Sequence, residues 1–293
     1  MIRPSAERIT PHGLAVVDKP AGWTSHDVVA KARGVIGTKK IGHAGTLDPD
    51  ATGVLLLGVG KATRLLRFLS VLPKSYVGEV VLGTETTSLD DSGDVIATHD
   101  MSGVTIEDVR VAAARFVGAI EQVPPMVSAV KVEGRRLHDL ARQGIEVERK
   151  ARPVTVHRFD VTPTADPLVF AVDVECSSGT YVRTLAADLG HALGGGAHLR
   201  RLRRTAVGPH TLAEARPLEE VELQPVSAAV AHLPHHVVTG AEHLRLVATG
   251  SRVPDVPDEG AVALVNQAGD LLAVFENGRP SVVLIQPEQL GHQ

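Results

Sequence analysis

The sequence has one cysteine and few aromatic residues. Cys176 cannot form a disulfide within the chain, and its alternating segment, LVFAVDVEC, predicts a buried side chain rather than a nucleophile. Metal-binding patterns are missing as well, since the chain contains no HExxH, no HxH and no pair of cysteines. These absences argue against redox chemistry and against a metal-dependent hydrolase. We therefore expect no cofactor and no metal.

Long apolar runs are also missing. No segment approaches the ~20 residues that a membrane helix needs, and the first ten residues contain no apolar core of a signal peptide. With 293 residues, of which 43% are hydrophobic, the chain is long enough for one large domain and a small appended one. We expect a cytoplasmic protein without membrane contact, and the sequence implies no obligate protein partner.

The net charge of −4 hides an uneven distribution along the chain. Residues 1–211 carry 26 basic and 23 acidic side chains, whereas residues 212–293 carry 4 and 11. Two basic stretches could follow a phosphate backbone. One is the arginine cluster Arg200, Arg201, Arg203 and Arg204, and the other is the segment 131–158. An ordinary solvated surface is the alternative for both, and it is stronger for the second.

The segment 39–64, KKIGHAGTLDPDATGVLLLGVGKATR, predicts a reactive loop around Asp48. Pro49 biases Asp48 toward an extended backbone, and the surrounding glycines let the main chain approach a ligand closely. The apolar run 54–59 predicts a buried strand beneath the loop. Spacing alone leaves two alternatives open: Asp48 could serve as a turn or helix cap, and Asp50 is a second carboxylate nearby.

Helices and strands are mixed without a regular βαβ rhythm, which predicts an α+β fold. The predicted helices cover 26–36 with Ser25 as its cap, 106–117 opened by Thr105 and Asp108, 135–143, and 181–193. The predicted strands, besides 54–59, are 14–17, 76–82, 154–159 and 168–176, together with a hairpin of 261–265 and 271–275. The small β-rich tail is too short to be stable as an isolated domain, so we expect it to pack on the main body.

Five blocks of the sequence carry a resemblance to a known family. The loop GHAGTLDPDATGVL resembles the signature loop of the TruB family of tRNA pseudouridine synthases, and four further blocks resemble that family in the same order. These are VDKPAGWTS at 17–25, KSYVGEVVLGTETTSLDDSG at 74–93, PPMVSAVKVEGRRLHDLARQG at 124–144, and 176–208. Together with the segments between them, they span roughly two thirds of the chain.

The resemblance implies a fold and a division into domains. The fold would be a mixed, largely antiparallel sheet with flanking helices, followed by a small PUA-like β-rich domain. The catalytic domain would cover 1–230, with an RNA-facing insertion around 124–152, and the C-terminal domain would cover 235–293. The negative charge of that tail weakens any claim that it grips phosphate.

The family's catalytic residues fall on three positions of this chain. Asp48 resembles the catalytic nucleophile, and Arg183 resembles the arginine that pairs with it and favours its charged form. Tyr76 resembles the tyrosine that stacks on the target base and that can accept a proton. Tyr76 and Tyr181 are the only tyrosines here, and both fall within family blocks. Without the resemblance, core aromatics and a surface arginine would be the alternatives.

Four further positions resemble substrate-binding residues. By the same resemblance, Tyr181 lines the pocket and Leu202 packs on the base from the other side. His43 would occupy the space that the flipped base vacates, and Lys19 would support the loop or a phosphate. The chain departs from the family at Val127, where an aromatic is common, and at His138, where a tyrosine is common; both departures concern RNA contacts rather than chemistry.

The function implied by the resemblance is the isomerisation of uridine 55 in the T-loop of tRNA to pseudouridine. The tRNA T-stem-loop is then the expected partner, and the reaction is redox-neutral and needs no cofactor. The alternative is a non-catalytic tRNA-binding or RNA-folding protein that uses the same groove. The set of Asp48, Tyr76 and Arg183 argues against that alternative, because binding alone requires no such carboxylate.

Overall fold

The computed structural model describes residues 10–126, 128, 131–132, 135–136, 143, 145 and 147–285. None of the helices in these residues is long and apolar enough to cross a membrane. The helices are α1 (Ser25–Ile36), α2 (Leu66–Ser70), α3 (Ile106–Ala114), α4 (Val182–Ala192) and α5 (Ala241–Ala248).

Within the part of the chain that the structure describes, the strands fall into one large sheet and three small ones. Those of the large sheet are β1 (Gly13–Lys19), β2 (Ile41–Ala44), β3 (Thr52–Val59), β4 (Lys74–Leu82), β7 (Gly118–Gln122), β10 (Arg152–Pro163), β11 (Val169–Cys176), β12 (Ala197–Val207) and β13 (His210–Thr211). The small sheets contain β5 (Thr84–Thr86), β6 (Val95–Thr98), β8 (Lys131–Val132), β9 (Arg135–Arg136), β14 (His235–Val237), β15 (Ala261–Val265), β16 (Leu271–Glu276) and β17 (Arg279–Val283).

The large sheet runs in the order β1-β3-β12-β4-β11-β10-β7, with β2 paired to β3 and β13 to β12. Its pairings are antiparallel except for a short parallel contact in which Arg203 and Arg204 of β12 face Thr52 and Gly53 of β3. This confirms the predicted α+β fold with a largely antiparallel sheet. The parallel contact matters for function, because it brings β12 beside the strand that follows the Asp48 loop.

Strands β1 and β3 form because their apolar residues are buried on both faces of the sheet. In β3, Val54 and Leu56 face one core cluster while Leu55 and Leu57 face another. A strand buried on both sides has a continuous apolar run rather than an alternating one, as the sequence 54–59 does. The prediction of a buried strand beneath the Asp48 loop is confirmed.

Helix α1 begins one residue earlier than predicted. Thr24 caps it in a reciprocal capping box with Asp27, and Gly37 ends it in the left-handed conformation at φ 76°. The prediction that Ser25 is the cap is therefore wrong. The hydroxyl of Ser25 is directed elsewhere, which matters for the Asp48 loop described below.

Helix α3 has the predicted Thr105 and Asp108 capping box but ends at Ala114, three residues early. The predicted helix 135–143 is wrong at its start, because Arg135–Arg136 pairs as a strand with Lys131–Val132. Residues 137–142 of that prediction lie outside the described residues. Helix α4, predicted over 181–193, spans Val182–Ala192.

Among the described residues, three core clusters pack against the large sheet, and a fourth lies in the C-terminal part. One contains residues of α3 and α4 packed on the sheet, and another contains residues of α1 packed on β1 and β3. The third joins Leu14 and Val16 of β1 to Ala263, Val274 and Val282 of the C-terminal strands. The expectation that the β-rich tail packs on the main body is confirmed.

Candidate active site

The loop 45–51 between β2 and β3 carries Asp48, and a serine from α1 holds it at the preceding residue. The Oγ of Ser25 accepts a hydrogen bond from the backbone N–H of Leu47 at 2.9 Å and lies 3.3 Å from the carbonyl oxygen of Leu47, to which it can donate. Both residues are buried. The Ser25 hydroxyl is therefore within hydrogen-bond distance of both the N–H and the carbonyl oxygen of Leu47, the residue before Asp48.

Lys19 holds the loop at the residue that follows Asp48. Its Nζ donates to the carbonyl oxygens of Pro20 at 2.8 Å, Trp23 at 2.5 Å and Pro49 at 2.8 Å. Burial lowers the pKa of Lys19 to about 8, against the raising effect of Asp50 and Asp48. With three carbonyl partners, the ammonium supports the loop rather than reacting.

Arg204 lies beneath the loop and is completely buried. Its Nε donates to the carbonyl oxygen of Val54 at 2.7 Å, and its two terminal nitrogens donate to those of Gly45 at 3.1 Å and Thr46 at 3.4 Å. A guanidinium has five N–H groups in a fixed plane, so it can hold several carbonyls at once. Arg204 thereby joins β12 to both ends of the loop.

Gly53 is one of the glycines around Asp48 that were predicted to let the main chain approach a ligand, and for Gly53 this prediction is wrong. Its φ is 100°, and an added Cβ would lie 2.1 Å from the carbonyl oxygen of Arg204. Gly53 thus allows close approach of β12, not of a ligand. This packing is what brings Arg204 beneath the loop.

Asp48 and Arg183 form a two-point ion pair. The Nε of Arg183 lies 2.9 Å from Oδ2 of Asp48, and its Nη2 donates to Oδ1 at 3.0 Å. The Nη1 of Arg183 donates to the carbonyl oxygen of Ser88 at 2.9 Å and lies 3.4 Å from a carboxylate oxygen of Asp90. Arg183 is buried, whereas the Asp48 side chain is 39% exposed. The fixed guanidinium therefore aims a partly open carboxylate.

Burial is the largest influence on the pKa of Asp48 and raises it above its ordinary value. The Arg183 guanidinium lowers that pKa, and the Asp90 carboxylate raises it. Arg183 thus favours the charged form, as predicted, but burial outweighs this effect. A carboxylate with a raised pKa is the stronger base and nucleophile, provided that it is ionised.

Asp48 opens into a cleft of about 260 Å³, the Asp48 cleft, whose walls bring several of the predicted residues together; Lys19 and His43 are not among its lining residues. Tyr76, Tyr181, Arg183 and Leu202 all line it. Burial raises the pKa of the Tyr76 phenol, so its hydroxyl is neutral near pH 7. Two aromatic rings and one leucine beside a carboxylate form a site for a flat, uncharged group such as a nucleobase.

Comparisons with known proteins show the family of the chain. Residues 33–182 match the model of the TruB family pseudouridylate synthase N-terminal domain, and residues 183–242 match that of the tRNA pseudouridylate synthase B C-terminal domain. The tRNA pseudouridine synthase B of Rhodococcus jostii (strain RHA1) is 47% identical over 95% of each chain. That of Streptomyces avermitilis is 48% identical over 91% of this chain and 94% of its own. The chain belongs to the TruB family.

Solved structures extend the likeness to the fold of the TruB family. One chain of a crystal structure of a Cbf5-Nop10-Gar1 complex matches this fold with a TM-score of 0.70 and 26% sequence identity. The match covers 96% of this chain and 81% of that chain. The Rhodococcus and Streptomyces relatives, at 47% and 48% identity, are tRNA pseudouridine synthases. The chain is therefore an isomerase that forms pseudouridine in tRNA.

Two residues of this TruB-family site were not found from the sequence. Gln122 clamps the backbone of Tyr181, accepting from its N–H at 2.8 Å and donating to its carbonyl oxygen at 3.1 Å. Lys74 lines the Asp48 cleft and donates to the carbonyl oxygens of Ser70 at 2.9 Å and Leu72 at 2.6 Å. Burial lowers the pKa of Lys74 to about 8. The available signal was its place two residues before Tyr76 in a family block.

His43 lies on β2, outside the lining of the Asp48 cleft. Its ring meets that of His26 edge to face, with the ring centres 5.2 Å apart. Burial lowers the pKa of His43 to about 4, helped by the His26 and Arg204 charges, so the ring is neutral at pH 7. A neutral ring can fill space or stack, and its RNA contact stays a prediction.

The arginine cluster differs from the sequence expectation in two ways. In an extended strand, alternation predicts Arg200 and Arg204 on the same face as Leu202, and Arg201 with Arg203 on the other face. The structure differs, because β12 is irregular between Arg200 and Arg203, and Arg201 has φ 54°. Arg200 and Arg201 instead share one acid, Glu79, at 2.5 and 3.0 Å. Arg204, being completely buried, has no surface to offer a phosphate.

Arg203 also has an acidic partner. Its two terminal nitrogens donate to the two carboxylate oxygens of Asp18 at 3.0 and 2.7 Å. Of the four arginines, Arg201 is the most open, with 72% of its side chain exposed. The second basic stretch, 131–158, lies partly outside the described residues, as do Val127 and His138.

Proposed function

We propose that this isomerase acts on uridine 55 in the T-loop of tRNA, that the base enters the Asp48 cleft by flipping out of the RNA, and that Asp48 is the covalent nucleophile. The observation that carries the proposal is the two-point pair of Asp48 with the buried Arg183, because it holds one carboxylate at the wall of a cleft lined by aromatic rings. A binding function alone would not require that carboxylate.

The chemistry needs one positioned carboxylate. The bond between ribose C1′ and uracil N1 breaks, the base rotates, and a bond forms between C1′ and C5; the proton on C5 leaves and N1 ends with a proton, so the atoms balance. Asp48 attacks either C1′ or C6, or assists elimination from the ribose, and the product is the same in each case. Tyr76 and Leu202 would hold the base between them while it rotates.

The domain division is part of the same proposal. Residues 1–230, with the insertion around 124–152, would form the catalytic domain, and residues 235–293 would form a PUA-like domain that contributes to tRNA binding. Every residue placed at the Asp48 cleft precedes residue 230.

The test is to incubate the protein with an unmodified T-stem-loop RNA and to map pseudouridine by carbodiimide modification and primer extension. We expect one modified position, uridine 55, and none with the Asp48→Asn variant, which keeps the shape of Asp48 but removes its charge. Modification at another uridine would contradict the position, and substantial turnover by Asp48→Asn would contradict the nucleophile.

A further inference from the structure

A second cleft, of about 400 Å³, adjoins the loop on which Asp48 lies. We call it the Trp23 cleft. Its apolar lining includes Trp23, Val28 and Leu218, and its polar lining includes Asp18, Thr52 and Arg203. Ligand pockets span about 300–1,000 Å³, so the Trp23 cleft has room for a nucleobase.

Trp23 is the only tryptophan in the chain, and 36% of it is exposed. It lies in the turn between β1 and α1, where Lys19 fixes its backbone carbonyl. An indole face is among the best stacking surfaces for a base, and every base has a π-face to offer. A fixed, partly open indole beside apolar side chains is therefore suited to a flat ligand.

The polar edge of the cleft offers both donors and acceptors. Arg203 donates to both carboxylate oxygens of Asp18 and to the hydroxyl of Thr52, which occupies at most three of its five N–H groups. The Asp18 carboxylate keeps lone pairs for further donors. Arginine can donate to O6 of guanine, and a carboxylate can accept from the exocyclic amino group, which guanine carries on an edge that also presents O6.

The charges in the cleft argue against a phosphate ligand. Asp18 and Glu219 offset Lys19 and Arg203 among the lining residues. A phosphate site requires an excess of positive charge or free backbone N–H groups. Lys19 is already shared among three carbonyl oxygens. A neutral base suits this balance better than its phosphate.

The cleft is joined to the catalytic loop by one ammonium group. Lys19 donates both to Trp23 and to Pro49, the residue next to Asp48. A ligand seated against Trp23 therefore lies near enough to the catalytic loop to belong to the same RNA molecule.

We propose that the Trp23 cleft binds a second base of the tRNA, stacked on Trp23, with its exocyclic amino group on Asp18 and an acceptor atom on Arg203; guanine supplies both groups. The proposal rests on the chain acting on tRNA, and it holds whichever uridine is isomerised. A second base held next to the loop would fix the register of the RNA relative to Asp48.

The single tryptophan makes the first test direct. The Asp48→Asn variant, in which we expect no turnover, is titrated with an unmodified tRNA transcript while filter binding independently measures complex formation. Excitation beyond the tyrosine absorption reports Trp23 alone, and we expect its emission to be quenched in step with binding. Emission that stays constant while the tRNA binds would overturn the proposal.

The second test removes the stacking surface. Trp23→Ala should weaken tRNA binding about 5- to 150-fold, with Trp23→Phe intermediate and Val111→Ala, an exposed apolar residue on α3, unchanged. Trp23→Phe guards against a folding defect because it keeps an aromatic ring. Affinity of both Trp23 variants within twofold of the parent protein would overturn the proposal.

The third test identifies the base. Single abasic replacements are scanned through the T-loop and its flanking nucleotides, and we expect one position, carrying guanine in the parent tRNA, to restore the Trp23 emission. If every abasic tRNA still quenches as the parent does, the quenching reports a change in the loop, and stacking is overturned. Pseudouridine mapping on wild-type protein is unaffected by either result, so failure here is distinguishable from failure of the uridine 55 proposal.

Discussion

Asp48 and Arg183 are 135 positions apart in the chain, yet their side chains meet in two contacts of 2.9 and 3.0 Å. The geometry depends on helix α4, because Arg183 is its second residue and is buried at its start. Asp90 and the Ser88 carbonyl occupy the far side of the same guanidinium. Arg183 is thus fixed from both sides, and so is the carboxylate that it holds.

Replacing Arg183 by lysine should lower kcat by about 100-fold, the cost of a misplacement near 1 Å. A lysine keeps the charge but offers no planar, two-point contact to Asp48. Binding of tRNA should change little, since Arg183 is buried. Single-turnover rates and filter binding measure the two effects, with Arg110→Lys on the exposed face of α3 as the control. A normal rate in Arg183→Lys would mean that charge alone suffices.

Replacing Arg183 by glutamine should move the acidic limb of the kcat/KM profile to higher pH. On the proposed mechanism Asp48 must be ionised to act, and Arg183 lowers the pKa of Asp48 against the raising effect of burial. Without Arg183, the pKa of Asp48 rises further, so at a given acidic pH a smaller fraction is ionised and activity is lost at a higher pH than in wild type. Profiles between about pH 4 and 8 measure this. An unmoved limb would show that another group sets it.

Ser25→Ala should reduce both stability and kcat, whereas Thr24→Ala should reduce stability alone. Removing the Ser25 hydroxyl leaves the buried N–H of Leu47 without its partner, at a cost of about 1–3 kcal/mol. Removing the Thr24 cap costs about 1 kcal/mol and touches nothing in the loop. Urea unfolding and single-turnover kinetics on both variants separate the effects. Equal kcat values in the two variants would show that the Ser25 contact does not position Asp48.

The difference between these neighbours illustrates how far the sequence could predict the site. The α1 cap was predictable as a local pattern, but Thr24 and Ser25 both suit it, and only the Thr24–Asp27 box decides between them. The Ser25 partner, Leu47, lies 22 positions away, beyond any local pattern. The loop around Asp48 was indicated by local sequence, but its pairing with Arg183 was identified only by resemblance, because nothing in their spacing indicates that they meet.

The acidic partners of the arginine cluster could not be predicted from the sequence for the same reason. The sequence places no acidic residue among the four arginines. In the structure, however, Arg200 pairs with Glu79, 121 positions away, and Arg203 pairs with Asp18, 185 positions away. Sheet pairing of β12 with β4 brings Glu79 opposite Arg200. The irregularity at Arg201 was also hidden, because a positive φ at an arginine has no sequence signal comparable to glycine.

Glu79→Gln should strengthen tRNA binding and make it more sensitive to salt, if Arg200 and Arg201 face the RNA. Glu79 now holds both guanidinium groups, at 2.5 and 3.0 Å, and competes with phosphate for them. Each arginine released to a phosphate should steepen the salt slope by about 0.7 to 0.9. Since a partly exposed ion pair contributes only about 0–1 kcal/mol, the fold should survive the change. Filter binding over a series of salt concentrations measures both effects.

The matched control is Glu107→Gln, which makes the same change of charge on the exposed face of α3, where Glu107 pairs with Arg110. That variant should alter tRNA affinity only through net charge, without a steeper slope. Arg201→Gln, at the most open of the four arginines, should reverse the gain when combined with Glu79→Gln. If the slopes of Glu79→Gln and Glu107→Gln agree, Arg200 and Arg201 form a solvated face. The RNA would then contact the other basic stretch, 131–158. Within that stretch, Arg158 forms ion pairs with Asp160 and Asp173.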